Sequence, residues 1–231
     1  MRFLLKILNA KLLKNASFTI LILCSLPVFS QSIAIIGGMN RNSFFDFKQD
    51  EFHYSSSYSS DLGYTIRIGL EDIKVNWLKL RFTLSYDKYG GKIAISDWAL
   101  GGGDETIAEI DKSIISLGIF PLNFKIVDRI NINLGFEMAG LISEDIEGTK
   151  EFWEMGQVWS KDLNDIYDRY SARTYFGLRG RIAYDIRITD NLAISPQYSY
   201  YFGLSHEFDD SPELTRSMRH YFSIGLQRKI K

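Results

Sequence analysis

The chain contains one cysteine, Cys24, and four prolines in 231 residues. One thiol cannot close a disulfide within the chain, and it cannot build a thiolate metal site, which needs several. So little proline excludes proline-rich and collagen-like classes. Histidine is equally scarce, with only His53, His206 and His220. His-Glu-x-x-His is absent, because His206-Glu207 runs into Phe-Asp-Asp. Neither G-x-x-x-x-G-K-[ST] nor G-x-G-x-x-G occurs, and no helix pattern follows Gly101-Gly102-Gly103 that could cradle a phosphate. Basic and acidic residues nearly balance, 27 against 28, with no polybasic block. A nucleic-acid partner is therefore not expected. No apolar run reaches the roughly 20 residues of a membrane-spanning helix.

What is present begins with an address. Residues 1–30 carry Arg2, Lys6, Lys11 and Lys14 and no acidic residue. An apolar run from Phe18 to Phe29 follows, broken by Pro27, and small Ser30 precedes Gln31. This pattern predicts a cleaved signal peptide over 1–30, ahead of a single domain over 31–231. Cys24 lies inside the apolar run behind bulky Leu23, which argues against a lipoprotein. Removing 1–30 leaves no cysteine and 23 basic against 28 acidic residues, a net of −5.

Alternation with a period of two then dominates. Leu78, Leu80, Phe82, Leu84 and Tyr86 share one face, and Lys79, Arg81, Thr83 and Ser85 the other. Tyr64, Ile66, Ile68 and Leu70 oppose Thr65, Arg67 and Gly69. Ile130, Ile132, Leu134, Phe136 and Met138 oppose Asn131, Asn133, Gly135 and Glu137. Phe176, Leu178, Ile182 and Tyr184 oppose Gly177, Arg179, Arg181 and Asp185. Leu192, Ile194, Tyr198, Tyr200 and Phe202 oppose Ser195, Gln197, Ser199 and Gly203. Phe222, Ile224 and Leu226 oppose Ser223, Gly225 and Gln227. With 32–40 and the stretch around 115–126, eight strands are predicted.

A soluble sheet also alternates. Two features favour a membrane barrel. The segments are about nine to thirteen residues long, enough to cross hydrocarbon at a tilt. The connections alternate too: 71–76, 127–129 and 189–191 are short, whereas 41–61, 87–112, 143–172 and 205–217 are long. The expected fold is an all-β, eight-stranded antiparallel transmembrane β-barrel with short periplasmic turns and long exterior loops, in the cell outer membrane. Trp77 and Tyr184 fall at the short-turn side. Tyr86, Tyr175, Phe176, Tyr200, Phe202, Tyr221 and Phe222 fall near the other side, as interfacial belts require.

Arginine facing lipid at mid-depth costs about 2–4 kcal/mol. The charged face must therefore point inward. That predicts a polar network in the lumen of Arg67, Lys79, Arg81, Glu137, Arg179, Arg181 and Asp185. Eight strands leave an interior that side chains can just fill, so a wet polar plug is expected rather than an open pore.

The long connections are strongly acidic. Within 143–172, an apolar stripe of Trp159, Leu163, Ile166, Tyr167 and Tyr170 predicts a short amphipathic helix over 158–170. Phe152, Trp153, Trp159 and Tyr170 are the expected docking residues for a partner. Asp162, Asn164, Asp165 and Asp168 lack the Gly and terminal Glu of a calcium loop. His53-Tyr54-Ser55 lies in a Ser/Tyr-rich stretch and reads as a solvated loop, and Ser205-His206-Glu207 does not read as a triad, because side chains next to each other on a strand point apart. No cofactor, metal site or catalytic activity is expected. The expected partners are outer-membrane lipid and another envelope protein, met through the exterior loops. A stand-alone pore or solute-binding barrel is the alternative, and a barrel enzyme acting on membrane lipid comes third.

Leu80-Arg-Phe-Thr-Leu-Ser-Tyr-Asp-Lys-Tyr-Gly resembles the third strand of the PorT-like outer-membrane β-barrel proteins of Bacteroidota. Ser116-Leu-Gly-Ile-Phe-Pro121-Leu-Asn-Phe-Lys125 is similar to that family's fourth strand, and Asn133-Leu-Gly-Phe-Glu-Met-Ala-Gly140 to its glycine-rich fifth. The resemblance spans most of 32–230. The long 143–172 segment and the Ile230-Lys231 end depart from the family's pattern. The resemblance implies the barrel fold, the outer membrane, and a place in a secretion or envelope assembly.

Overall fold

The computed structural model describes residues 32–46, 54–75, 78–99, 101–127, 129–166, 169–208 and 215–230. The expected signal peptide, Trp77, His53, Tyr167 and Asp168 lie outside these residues. Among the described residues eleven strands follow one another: β1 (Ser32–Asp46), β2 (Tyr54–Ser60), β3 (Leu62–Val75), β4 (Leu78–Ala99), β5 (Gly102–Val127), β6 (Ile130–Glu154), β7 (Gln157–Asp162), β8 (Thr174–Tyr184), β9 (Ile186–Thr189), β10 (Leu192–Gly203) and β11 (Thr215–Lys229). A single helical turn, α1 (Leu163–Ile166), follows β7.

Eight of these strands close a ring in the order β11-β1-β3-β4-β5-β6-β8-β10, with β10 pairing back onto β11 and every pair antiparallel. A closed ring leaves no unpaired edge, which is the condition for strands to sit in hydrocarbon. The outward side chains along the ring are exposed and apolar, among them Ile35, Ile66, Phe136, Met138, Phe176 and Ile224. Arg67, Arg81, Glu137, Arg179 and Arg181 point inward and are buried. Only a surrounding solvent of lipid makes that arrangement favourable, so the molecule is an eight-stranded transmembrane barrel. Pro121 lies within an irregularity of the β5–β6 ladder, where a missing N–H is tolerated.

The chemistry of the two faces inverts along the longest strands. Outward Tyr86 on β4 gives way to Lys88 and Lys92. Outward Ile115 on β5 gives way to Asp111 and Glu109, and on β6 Met138 gives way to Asp145 and Glu147. On the inner face, Tyr89, Ile93, Ile95, Ile110 and Ile146 become the buried apolar set. The inversion marks where lipid ends and water begins.

This corrects the expectation of long loops at 87–112 and 143–172. β4, β5 and β6 run to 22, 26 and 25 residues. Crossing the hydrocarbon takes only about 9–11. The wall continues outward as a projecting sheet ordered β2-β4-β5-β6-β7. A period of two decides a strand whichever face is apolar, and on β6 it resumes after a one-residue bulge at Ile142, where the outward parity switches. The connection expected at 41–61 likewise holds the end of β1 and all of β2.

The helix expected over 158–170 is also corrected. Residues 157–162 form β7, and among the described residues of that stretch only α1 is helical. Met155 and Gly156, with φ of 48° and 83°, make a two-residue turn with both residues left-handed. Turns of this hand match strand twist, so the chain returns along β6 as a hairpin. The aromatic belt needs one correction as well: Tyr175 and Tyr221 point inward and are fully buried.

The belt is open to a direct check. Phe136→Arg places a charge in lipid and should lower folding stability in phosphatidylcholine vesicles by roughly 2–4 kcal/mol. Urea titration of the folded and unfolded forms measures this, and an unchanged midpoint would contradict the belt.

Candidate functional site

The lumen is filled by charged and aromatic side chains in successive layers. Glu137 on β6 pairs across the ladder with Gly118 of β5 and Gly177 of β8. Glycine on both sides leaves room for long groups. A Cβ on Gly177 would lie 2.6 Å from the Tyr201 ring, so only glycine lets that ring lie across the lumen. Arg179 donates to Glu137, and Arg219 stands 3.9 Å from the same carboxylate. Arg67 and Arg179 stack on the Tyr221 ring at 4.2 and 4.1 Å, and Arg219 stacks on Tyr201 at 3.8 Å. Tyr221 donates to Asp87 at 3.4 Å, and Arg67 lies 3.9 Å from Asp87.

Nearer the short turns, Glu71 faces both Arg81 at 2.7 Å and Arg181 at 3.9 Å. Arg181 also donates to Gln197 and, at 2.7 Å, to Asn133. Asp185 accepts from Asn131 at 2.5 Å and from Ser195. A cavity of about 240 Å³ opens at this mouth, and Lys79 lines it as an exposed residue. The structure thus brings Arg67, Arg81, Glu137, Arg179, Arg181 and Asp185 into the lumen and leaves Lys79 at its rim.

At the outer end, beyond the belt, the segment after β10 plugs the mouth. Glu207 lies 3.1 Å from the Lys112 ammonium and accepts from Tyr89 at 2.8 Å. Burial opposes the charge on Glu207, but Lys112 and Arg219 outweigh it, and the carboxyl is held below the usual carboxylate range. The Lys112 ammonium lies 4.3 Å from the centre of the Phe208 ring. Above it sits an apolar cap of Phe44, Ile93, Ile110, Leu163, Tyr170 and Phe208. Ser205, His206 and Glu207 do not converge: Ser205 accepts from the Phe176 amide, His206 is exposed, and Glu207 is bound to Lys112. Among the described residues no cluster of His, Cys, Asp and Glu is arranged to hold a metal ion.

The outward face of the projecting sheet is acidic. Asp111 opposes Asp145, Glu109 opposes Glu147 and Glu105 opposes Glu151, so three rungs pair like charges across β5 and β6. Such rungs are destabilising on their own. Lys88 and Lys92 offset two of them, 3.1 Å from Asp111 and 3.0 Å from Glu109. Hydrogen bonds to those carboxylates hold both ammonium groups above the ordinary lysine value. At the far tip Phe152 and Trp159 stack at 5.7 Å, Met155 is 91% exposed, and the Met155 amide donates to Gly101 at 3.1 Å, fastening the two hairpin tips together.

Of the four expected docking residues, Phe152, Trp153 and Trp159 gather at this tip. Tyr170 does not. It is 4% exposed and packs on Phe208 at 5.0 Å, so it belongs to the cap. Arg219, Asp87, Lys112, Glu207 and the tyrosines at 89, 201 and 221 were missed as lumen groups. Their signal was available, since Ser217, Arg219 and Tyr221 alternate with Met218, His220 and Phe222 just as the recognised strand does.

Two measurements test this arrangement. Glu137→Gln leaves Arg179 and Arg219 without their shared counter-charge and should destabilise the barrel by about 3–5 kcal/mol in urea titration. A carboxyl held low contributes stability at neutral pH that is lost only as pH falls through its own depressed value. The amide of Ala172, which donates to the Glu207 carbonyl at 3.1 Å, should therefore stay protected from hydrogen exchange down to about pH 4 and lose protection only in stronger acid. Loss between pH 7 and about 5 would mean that the ion pair does not hold the plug.

No protein-family profile matches the chain, and no curated protein matches it. Solved structures do. Neisserial surface protein A is 14% identical over 86% of this chain and 97% of its own, with a TM-score of 0.38. Ail, the attachment invasion locus protein of Yersinia pestis, is 12% identical over 86% and 99%, with a TM-score of 0.38. OprG from Pseudomonas aeruginosa is 10% identical over 87% and 97%, with a TM-score of 0.40. The fold itself rests on the closed ring of hydrogen bonds described above.

Proposed function

We propose that this chain is an outer-membrane β-barrel without catalytic activity that serves as a scaffold, holding a rigid exterior sheet for another protein of the envelope. One observation carries the reading. The wall strands β4, β5 and β6 continue unbroken past the belt, while the lumen beneath them is occupied by Arg219, Tyr89, Tyr201 and Tyr221, all buried. The material beyond the membrane is thus spent on a presented surface rather than on a channel mouth. An ordered sheet also loses less conformational entropy on binding than a free loop would. The resemblance to PorT-like proteins of Bacteroidota supports the same reading and extends it to a secretion or envelope assembly.

The test is the native mass of the protein after mild detergent extraction from outer membranes. The scaffold reading expects a mass well above one barrel with its micelle, falling to the lone barrel when Val158 and Trp159 are both changed to Ser. A lone barrel from the unaltered protein would overturn it. Planar bilayers separate the alternative, because a filled lumen should give no conductance steps, whereas regular steps would favour a pore.

A further inference from the structure

The projecting sheet ends in two edge strands, and they are not alike. β2 lies against the barrel: Arg41 donates to Ser60 at 2.8 Å, and Tyr58 shares a hydrogen bond with Thr215 at 3.3 Å. β7 pairs only with β6 among the described strands, and all six of its residues are exposed. The Met155-Gly156 turn fixes which of its backbone groups are used. In a two-residue hairpin the flanking residues, here Glu154 and Gln157, exchange hydrogen bonds, and alternate pairs do so thereafter. With Phe152 opposite Trp159 and Lys150 opposite Lys161, residues 157, 159 and 161 turn their N–H and C=O groups to β6. Val158, Ser160 and Asp162 turn theirs to the open side.

Proteins normally blunt such an edge with proline, a bulge or a covering segment. β7 has no proline, and its ladder with β6 runs without a register shift. It also keeps Val158 at 61% and Trp159 at 39% exposure. The side chains beside the edge state what would fit. Asp162, Ser160 and Val158 share a face with Glu147, Glu151 and Trp153, whereas Trp159 and Lys161 share the opposite face with Phe152 and Lys150. A strand added to β7 would set alternate residues against Asp162, with the carboxylates of β6 behind it, on one face, and against Trp159 and Lys161, which disfavours a basic residue there, on the other.

We propose that β7 is a strand-addition site, and that its occupant is an extended segment of a partner protein alternating basic and apolar residues. Backbone hydrogen bonds to Val158, Ser160 and Asp162 supply the attachment, and the acidic face and Trp159 select the sequence. The proposal rests on the scaffold reading but can fail separately from it.

The experiment uses the full chain, isotopically labelled and folded in lipid nanodiscs, titrated with a short synthetic peptide alternating lysine and valine. Hydrogen exchange at the amides of Val158, Ser160 and Asp162 should slow on saturation, while those of Gln157, Trp159 and Lys161 are already protected. Ser160→Pro removes an N–H from the open side only. It should weaken the peptide about tenfold or more while leaving the β6–β7 amides protected. A peptide alternating glutamate and valine should bind about tenfold more weakly than the lysine peptide. Equal binding to the Ser160→Pro protein, or no new protection at the three amides, overturns strand addition even if the native mass reveals a partner. Protection of those amides without peptide also overturns it, because the edge is then already covered by this chain or a second copy.

Discussion

Lipid cannot hydrogen-bond, and the structure follows from that constraint. Every backbone N–H and C=O at membrane depth must find its partner in a neighbouring strand, so eight strands close on themselves and leave no edge. The same solvent refuses charge. Arg67, Arg81, Arg179, Arg181 and Arg219 therefore turn into the lumen, where water is scarce too. An interior so loaded holds only if its charges pair with one another. Glu137 meets that need by sitting between two glycines, within reach of Arg179 and Arg219. Tyrosine rings at 201 and 221 supply flat faces for the guanidinium groups that carboxylates alone do not cover.

Past the outer boundary the constraint reverses, and the chain answers while keeping its strands, with one bulge at Ile142 on β6. The outward face becomes charged and the inward face apolar, while the strands themselves run on. Isoleucines 93, 110 and 146 then bury against Phe44, Tyr170 and Phe208 as an ordinary water-soluble core, each contributing about 1.5–3 kcal/mol by leaving water. That core stands directly on the Lys112–Glu207 pair, so one continuous wall holds a polar plug below and an apolar cap above. Here the exterior sheet is ordered, with three rungs of like charge across β5 and β6, two of them offset by Lys88 and Lys92.

Much of the barrel was legible from alternation alone. Side-chain direction along a strand is a local property, so Arg81, Glu137 and Arg179 could be assigned to one face from their immediate neighbours. The same reasoning stopped early at Tyr86 and started late at Phe222, because strands were recognised by an apolar outer face. Asp87, Tyr89 and Arg219 lay just beyond those limits and were lost with them. The 158–170 stretch failed for a different reason. Its aromatic spacing suits a helix, but the turn at Met155-Gly156 offered it the edge of β6, and a cross-strand ladder prevailed over a local stripe.

The sequence by itself determined the number of wall strands, which side chains share a face, and that charges within the belt must point inward, because all three depend on period and solvent. Tertiary structure decided the rest. Whether Tyr170 is a docking residue or a cap residue depends on Phe208, nearly forty residues away, and whether Trp159 stays exposed depends on the hairpin beside it. Register, closure and the meeting of distant segments arise from contacts between remote parts of the chain, which no local pattern encodes.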